Sequence, residues 1–233
     1  MSAESNALYP RYLGAAFIFQ FVTSLTAGLL SRPILSGSIF EVMDNISNNL
    51  TQTRASILLF LLTSIGIIAM TSLLYVVLRD QNRAVALVAF GMWMAEAVML
   101  SVKTLGLYAL LTLSGDVQAG DPASTFGPVG ALSLGFSQHA GDIDMLFFCV
   151  GAVLWYSMLF RSQLVPRPLS LWGLVAVVPV LLATVLLVWN RDLEPSLALY
   201  ALYVPFELAI GLWLLLKGAN VPAPHVTYSS STR

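Results

Sequence analysis

The chain has 233 residues, 58% of them hydrophobic and 10% charged, with a formal net charge of −1. Soluble domains are about 45–50% apolar and about 25% charged, so a mean hydropathy of +0.82 excludes an ordinary water-soluble domain. The near-zero charge leaves no basic field for nucleic acid, and the single cysteine, Cys149, excludes an intrachain disulfide.

The amino-terminal segment MSAESNALYP has no basic region of the kind that opens a cleavable signal, so the first apolar segment is expected to stay in the mature protein. Apolar stretches of about 20 residues can cross a bilayer. Six are expected, at residues 12–30, 55–78, 84–113, 141–160, 169–190 and 196–216. Basic residues favour the cytoplasmic side of short loops. Arg11, Arg79, Arg83, Arg161, Arg167, Lys217 and Arg233 fall on one side, against Arg32, Arg54 and Arg191 on the other. The expected fold is therefore an all-α bundle of six transmembrane helices in the cell membrane, with both termini cytoplasmic. Residues 1–218 form the membrane domain, and residues 219–233, with two prolines and a serine run, form a flexible cytoplasmic tail.

Two outer loops are more than turns. Ile39, Met43, Ile46 and Leu50 recur at helical spacing with Asp44, Asn45 and Asn48 between them, which predicts an amphipathic helix on the outer interface. Two triplets in this region, Asn45-Ile46-Ser47 and Asn49-Leu50-Thr51, match the glycosylation pattern, which is frequent by chance. The second loop, residues 114–138, is rich in glycine and small residues, with Asp116 and Asp121 and no basic residue. It reads as either a lid or an exposed mobile loop. The inner loops are short, and Pro166 and Pro168 separate the fourth and fifth spans.

The third span carries the sharpest signal. It holds Glu96 near its middle and Lys103 two turns later. An ionisable group at the bilayer centre costs about 2.5–3.5 kcal/mol on insertion scales and usually faces protein or a water-filled cavity. Counting about 1.5 Å per residue, Glu96 lies roughly 20 Å from the inner surface at Arg83, and Glu207 roughly 15 Å from it at Lys217. Both acids are expected near the midplane. If their helices touch, they would share a proton, which is the setting for a relay or an acid/base pair. The competing reading has each acid neutral and hydrogen-bonded to a neighbouring helix. Pro205 predicts a loosened turn just before Glu207.

A second group lies at the expected start of the fourth span, Gln138 to Asp144. His139 and Asp142 are three apart and share a face, while Asp144 points elsewhere. Lys103 shares the face of Glu96 but sits nearer the outside, where Asp142 or Asp144 would neutralise it. The competing reading makes these residues a helix N-cap. His139, Asp142 and Glu96 are acceptable metal ligands, but two at this spacing without a third in register make only a weak signal for a metal, and no cofactor is expected. The tryptophans Trp93, Trp155, Trp172, Trp189 and Trp213 are expected mostly at lipid or at the interface. No Gly-rich phosphate loop, Gly-x-Ser-x-Gly or Cys-x-x-Cys occurs.

The run His139–Gly141 followed by FFCVGAVLWYSMLFRSQLVPRPLSLWGL, the Asn82-Arg83 pair leading to Glu96, and Pro205-Phe206-Glu207 leading to Lys217-Gly218 together resemble the bacterial and archaeal DUF4386 family. The resemblance covers residues 12–220. It implies a six-helical architecture without an established activity, and it marks Arg83, Glu96, His139, Ser162, Pro166, Glu207 and Lys217. Asp142 and Asp144 stand where mainly apolar residues or glycine are expected.

Three functions fit this reading. The first is binding or moving a small amphiphile, a lipid or a proton through an outward-opening polar cavity lined by Glu96, Lys103, His139, Asp142 and Glu207. The second is an intramembrane lipid-modifying enzyme, an isomerase or hydrolase, using Glu96 and Glu207. The third is a structural or accessory subunit whose charges only pair between helices. The expected partners are membrane lipids, a lipid-like ligand, and either copies of the chain or another membrane protein joined through Gly and Ala faces.

Overall fold

A computed structural model describes residues 3–118, 123–190 and 197–218, and every long element among them is helical. The helices are α1 (Ala3–Ile34), α2 (Ile39–Asn48), α3 (Leu50–Leu78), α4 (Arg83–Gln118), α5 (Ala123–Ser162), α6 (Arg167–Trp189) and α7 (Tyr203–Lys217), with a single 3-10 turn at Leu197–Tyr200. Five stretches are long and apolar enough to cross a membrane: Tyr9–Ile34, Leu50–Leu78, Arg83–Gly115, Phe126–Ser162 and Arg167–Trp189. The protein is a multi-pass transmembrane helical bundle.

The six larger helices close into a ring. Each packs on the next in the order α1, α3, α4, α5, α6 and α7, and α7 returns to α1. Small residues set the close approaches. Gly14 of α1 lies against the backbone of Leu214 and Leu215 in α7. Gly106 of α4 faces the Ser133 carbonyl and Ser137 of α5, and Gly173 of α6 faces the Phe206 ring of α7. Without a hydrophobic force between helices in lipid, such contacts and interhelical hydrogen bonds hold a bundle together. Thr63 donates to Thr23 at 2.9 Å between α3 and α1, and Ser101 donates to Ser64 at 3.2 Å between α4 and α3.

The residues expected to form a sixth bilayer-length span give a 15-residue α7. That is roughly 22 Å of helix at 1.5 Å per residue. Pro205 does not kink a longer helix. It sits in the first turn of α7, where its missing N–H has no intrahelical partner to lose. The backbone leading into α7 is a 3-10 turn at Leu197–Tyr200, and Leu202, just before the helix, already has helical dihedrals. The expected flexible tail, residues 219–233, lies outside the described residues.

Residues 123–138, read above as part of a loop or lid, belong to α5, a helix of 40 residues. Two of the glycines there, Gly127 and Gly130, are packing residues. A side chain on Gly127 would meet the Phe40 ring at 3.0 Å, and one on Gly130 would meet the Met43 sulfur at 3.2 Å. Both partners belong to α2. That helix forms as the spacing predicts, with a capping box in which Ser38 N–H donates to Glu41 Oε2 at 2.6 Å. These bonds hold the Glu41 carboxyl below its usual range. The apolar face of α2 does not rest on the lipid interface alone. Val42, Met43 and Ile46 are buried, and α2 packs on α4 and α5.

The tryptophans also depart from expectation. Trp93 and Trp155 are fully buried, and the Trp93 N–H donates to the Phe148 carbonyl at 3.1 Å. Trp172 and Trp189 are exposed as expected, Trp189 at 88%.

Candidate functional site

Three carboxylates and one ammonium converge inside the ring. Glu96 of α4, Asp144 of α5 and Glu207 of α7 are 6%, 8% and 7% exposed. With Lys103 they line one cavity of about 320 Å³, together with Gln20 of α1, Phe60 of α3 and Tyr203. Glu96 and Lys103 share a face because seven residues make nearly two helical turns. Glu96 lies within Coulombic range of both Asp144 and Glu207. The Lys103 ammonium sits 4.7 Å from the centre of the Phe60 ring and within Coulombic range of Asp144. Gln20 lies within hydrogen-bonding reach of Glu207.

The cavity is incompletely satisfied by the protein. Glu96 Oε2, Asp144 Oδ1 and Gln20 Oε1 are buried and find no hydrogen-bond donor among the described residues. Buried polar atoms nearly always have a partner, so each exception calls for an explanation. Nearby, Tyr156 and Tyr203 join α5 to α7 through a buried hydroxyl–hydroxyl bond of 2.7 Å.

Two further spaces share walls with this cavity. An outer pocket of about 380 Å³ holds Lys103 and Asp144 in common with it and adds Gln138 and Asp142. A side groove of about 640 Å³ runs between α1 and the start of α7. Phe21, Leu25, Leu29 and Val204 make it apolar, with Arg32 in the last turn of α1 and Glu207 on the wall toward the polar cavity. Gly28, Tyr200 and Glu207 belong both to the groove and to the polar cavity.

The sequence-predicted residues separate on this geometry. Glu96, Lys103 and Glu207 meet at one cavity. Asp142 lines the outer pocket and not the cavity. The His139 side chain is 69% exposed, 3.8 Å from Asp142, and lines neither space. The group Gln138–Asp144 is not at a helix N-terminus, because α5 begins 15 residues before Gln138. Asp144 reverses its expected role and is the acid of α5 that turns inward. It completes a buried stripe with Ser137, Ala140 and Phe148 at helical spacing. That stripe was readable in the sequence once the helix was carried back through the small residues. Gln20 was missed altogether, and its signal was a lone amide in the apolar run of the first span. Among the described residues, no three of histidine, cysteine, aspartate and glutamate are grouped to hold a metal ion, so Glu96, His139 and Asp142 do not form a ligand set.

A family model, Domain of unknown function (DUF4386), matches residues 12–218. The chain belongs to the DUF4386 family. Its matched region contains α2 to α7 and every residue of the cavity. No curated protein and no solved structure matched the chain.

Proposed function

We propose that this DUF4386 protein is a six-span protein of the cell membrane with cytoplasmic termini, and that it binds a small amphiphile in its polar cavity. The observation that carries the reading is the continuity of an apolar side groove with a buried cluster of acids. An amphiphile needs one surface for its chain and another for its head, and ligand sites are mostly apolar with a few convergent polar groups. The groove offers Phe21, Leu25 and Leu29 to a chain. The cavity offers Glu96, Asp144, Lys103 and Glu207 to a polar head. Intramembrane ionisable residues of this kind mark ligand or ion pathways by default. The short α7 completes the sixth crossing together with the 3-10 turn before it.

Native mass spectrometry of gently extracted protein tests the proposal. A retained molecule of lipid size is expected, and Glu96→Gln should release it while the protein stays folded. A protein that carries nothing, and that Glu96→Gln only destabilises, would instead be an accessory subunit.

A second reading, an intramembrane enzyme, draws support from the position of Tyr203, which lines the cavity with Glu96 and Glu207. A hydroxyl beside two carboxylates is a proton-transfer arrangement. Chemical change of the bound molecule on incubation would favour the enzyme, and recovery unchanged would favour the binder.

A further inference from the structure

Resting on the binding reading, we propose that the ligand presents a protonated primary amine to the cavity. The unsatisfied atoms decide the class. Glu96 Oε2, Asp144 Oδ1 and Gln20 Oε1 are all acceptors, each on a side chain more than nine-tenths buried, and all three residues line the same space. An alkylammonium carries three N–H donors on one atom. A hydroxyl head carries a single donor, and a carboxylate carries none and repeats the charge already present. Three carboxyl groups line the cavity with a single ammonium, so an incoming cation meets more acids than Lys103 alone can pair with. Hydrogen bonds in which the donor or the acceptor is ionised are roughly twice as strong as neutral ones.

Lys103 shows that an ammonium fits. Its Nζ lies 4.7 Å above the centre of the Phe60 ring, a cation–π placement, on the wall the cavity shares with the outer pocket. Lys103 is a tethered cation at the edge of the site, and an incoming amine would compete with it for the same acids. The amine has two routes of supply. A water-borne short amine would pass the outer pocket, and a membrane amine with a long chain would leave that chain in the groove between α1 and α7.

The full chain in detergent micelles, titrated with dodecylamine, dodecanol, dodecanoate and butylamine, is read by native mass spectrometry as 1:1 complexes. Dodecylamine is expected to bind at least about tenfold more tightly than dodecanol or dodecanoate. Glu96→Gln and Asp144→Asn should each weaken it about tenfold. Lys103→Met should strengthen it, a gain that loss of folding cannot imitate. Butylamine binding as well as dodecylamine would identify the water-borne source, and much weaker butylamine binding the membrane source. Dodecanol or dodecanoate matching dodecylamine on the unmodified chain would overturn the amine while leaving amphiphile binding intact. Failure of all four probes would overturn both.

Discussion

Gly151 of α5 lies directly against the Trp93 indole of α4. A side chain there would meet the indole nitrogen at 2.6 Å and Met92 Cβ at 3.2 Å. The ring cannot retreat easily, since it is fully buried and its N–H is held by the Phe148 carbonyl. Gly151→Ala should therefore destabilise by about 1–3 kcal/mol, the usual cost of overpacking. Gly135 of the same helix meets nothing within 4 Å and is the control. Thermal unfolding in detergent should show a lower Tm for the first variant and little change for the second.

The Tyr156–Tyr203 bond gives a second prediction. Removing one hydroxyl leaves the other buried and without its partner, so Tyr156→Phe should cost about 1–3 kcal/mol. The double variant, Tyr156→Phe with Tyr203→Phe, should cost less than the sum of the two single changes. A double-mutant cycle in detergent checks this, and simple additivity would mean that the hydroxyls are not coupled.

His139 separates the cavity from its surroundings. The side chain is 69% exposed and lines neither the inner cavity nor the outer pocket. His139→Ala should change stability by no more than about 0.5 kcal/mol and leave any retained ligand in place. Loss of the ligand on this change, seen by native mass spectrometry, would extend the site to the outer rim.

The cap of α2 predicts a pH dependence. Bonding to Ser38 lowers the Glu41 pKa on folding. A depressed carboxyl pKa adds stability that is complete above the unfolded value and is lost as pH falls through the lower, folded value. Amide protection in α2, corrected for intrinsic exchange, should be flat from about pH 7 to about pH 5 and fall below about pH 4. Glu41→Gln should remove the dependence.

The helical class and most of the spans were legible because lipid imposes long apolar runs. Glu96 and Glu207 were legible as a pair because each could be counted along its helix from a basic residue at one end, Arg83 or Lys217. Asp144 was not, since placing it needs the register of α5, and the sequence from Ala123 to Gln138 has the composition of a loop. Gly127 and Gly130 look like breaks in a sequence and act as seats for Phe40 and Met43. Trp93 and Trp155 failed for a related reason. Their burial depends on which neighbour supplies the space, and that neighbour, Gly151 for Trp93, lies 58 positions away. The extent of the last span depended on Pro205, which as a residue type fits both a kink and a first turn.

Helices α4 and α5 have 36 and 40 residues, or roughly 54 and 60 Å of rod, against about 30 Å of hydrocarbon. Even a tilt of about 40° leaves α5 some 46 Å tall. A 25.2 kDa polypeptide that would otherwise vanish inside its detergent belt thus carries a stiff mast clear of it. Antibody fragments raised against that mast would give single-particle imaging a landmark without covering the acids below.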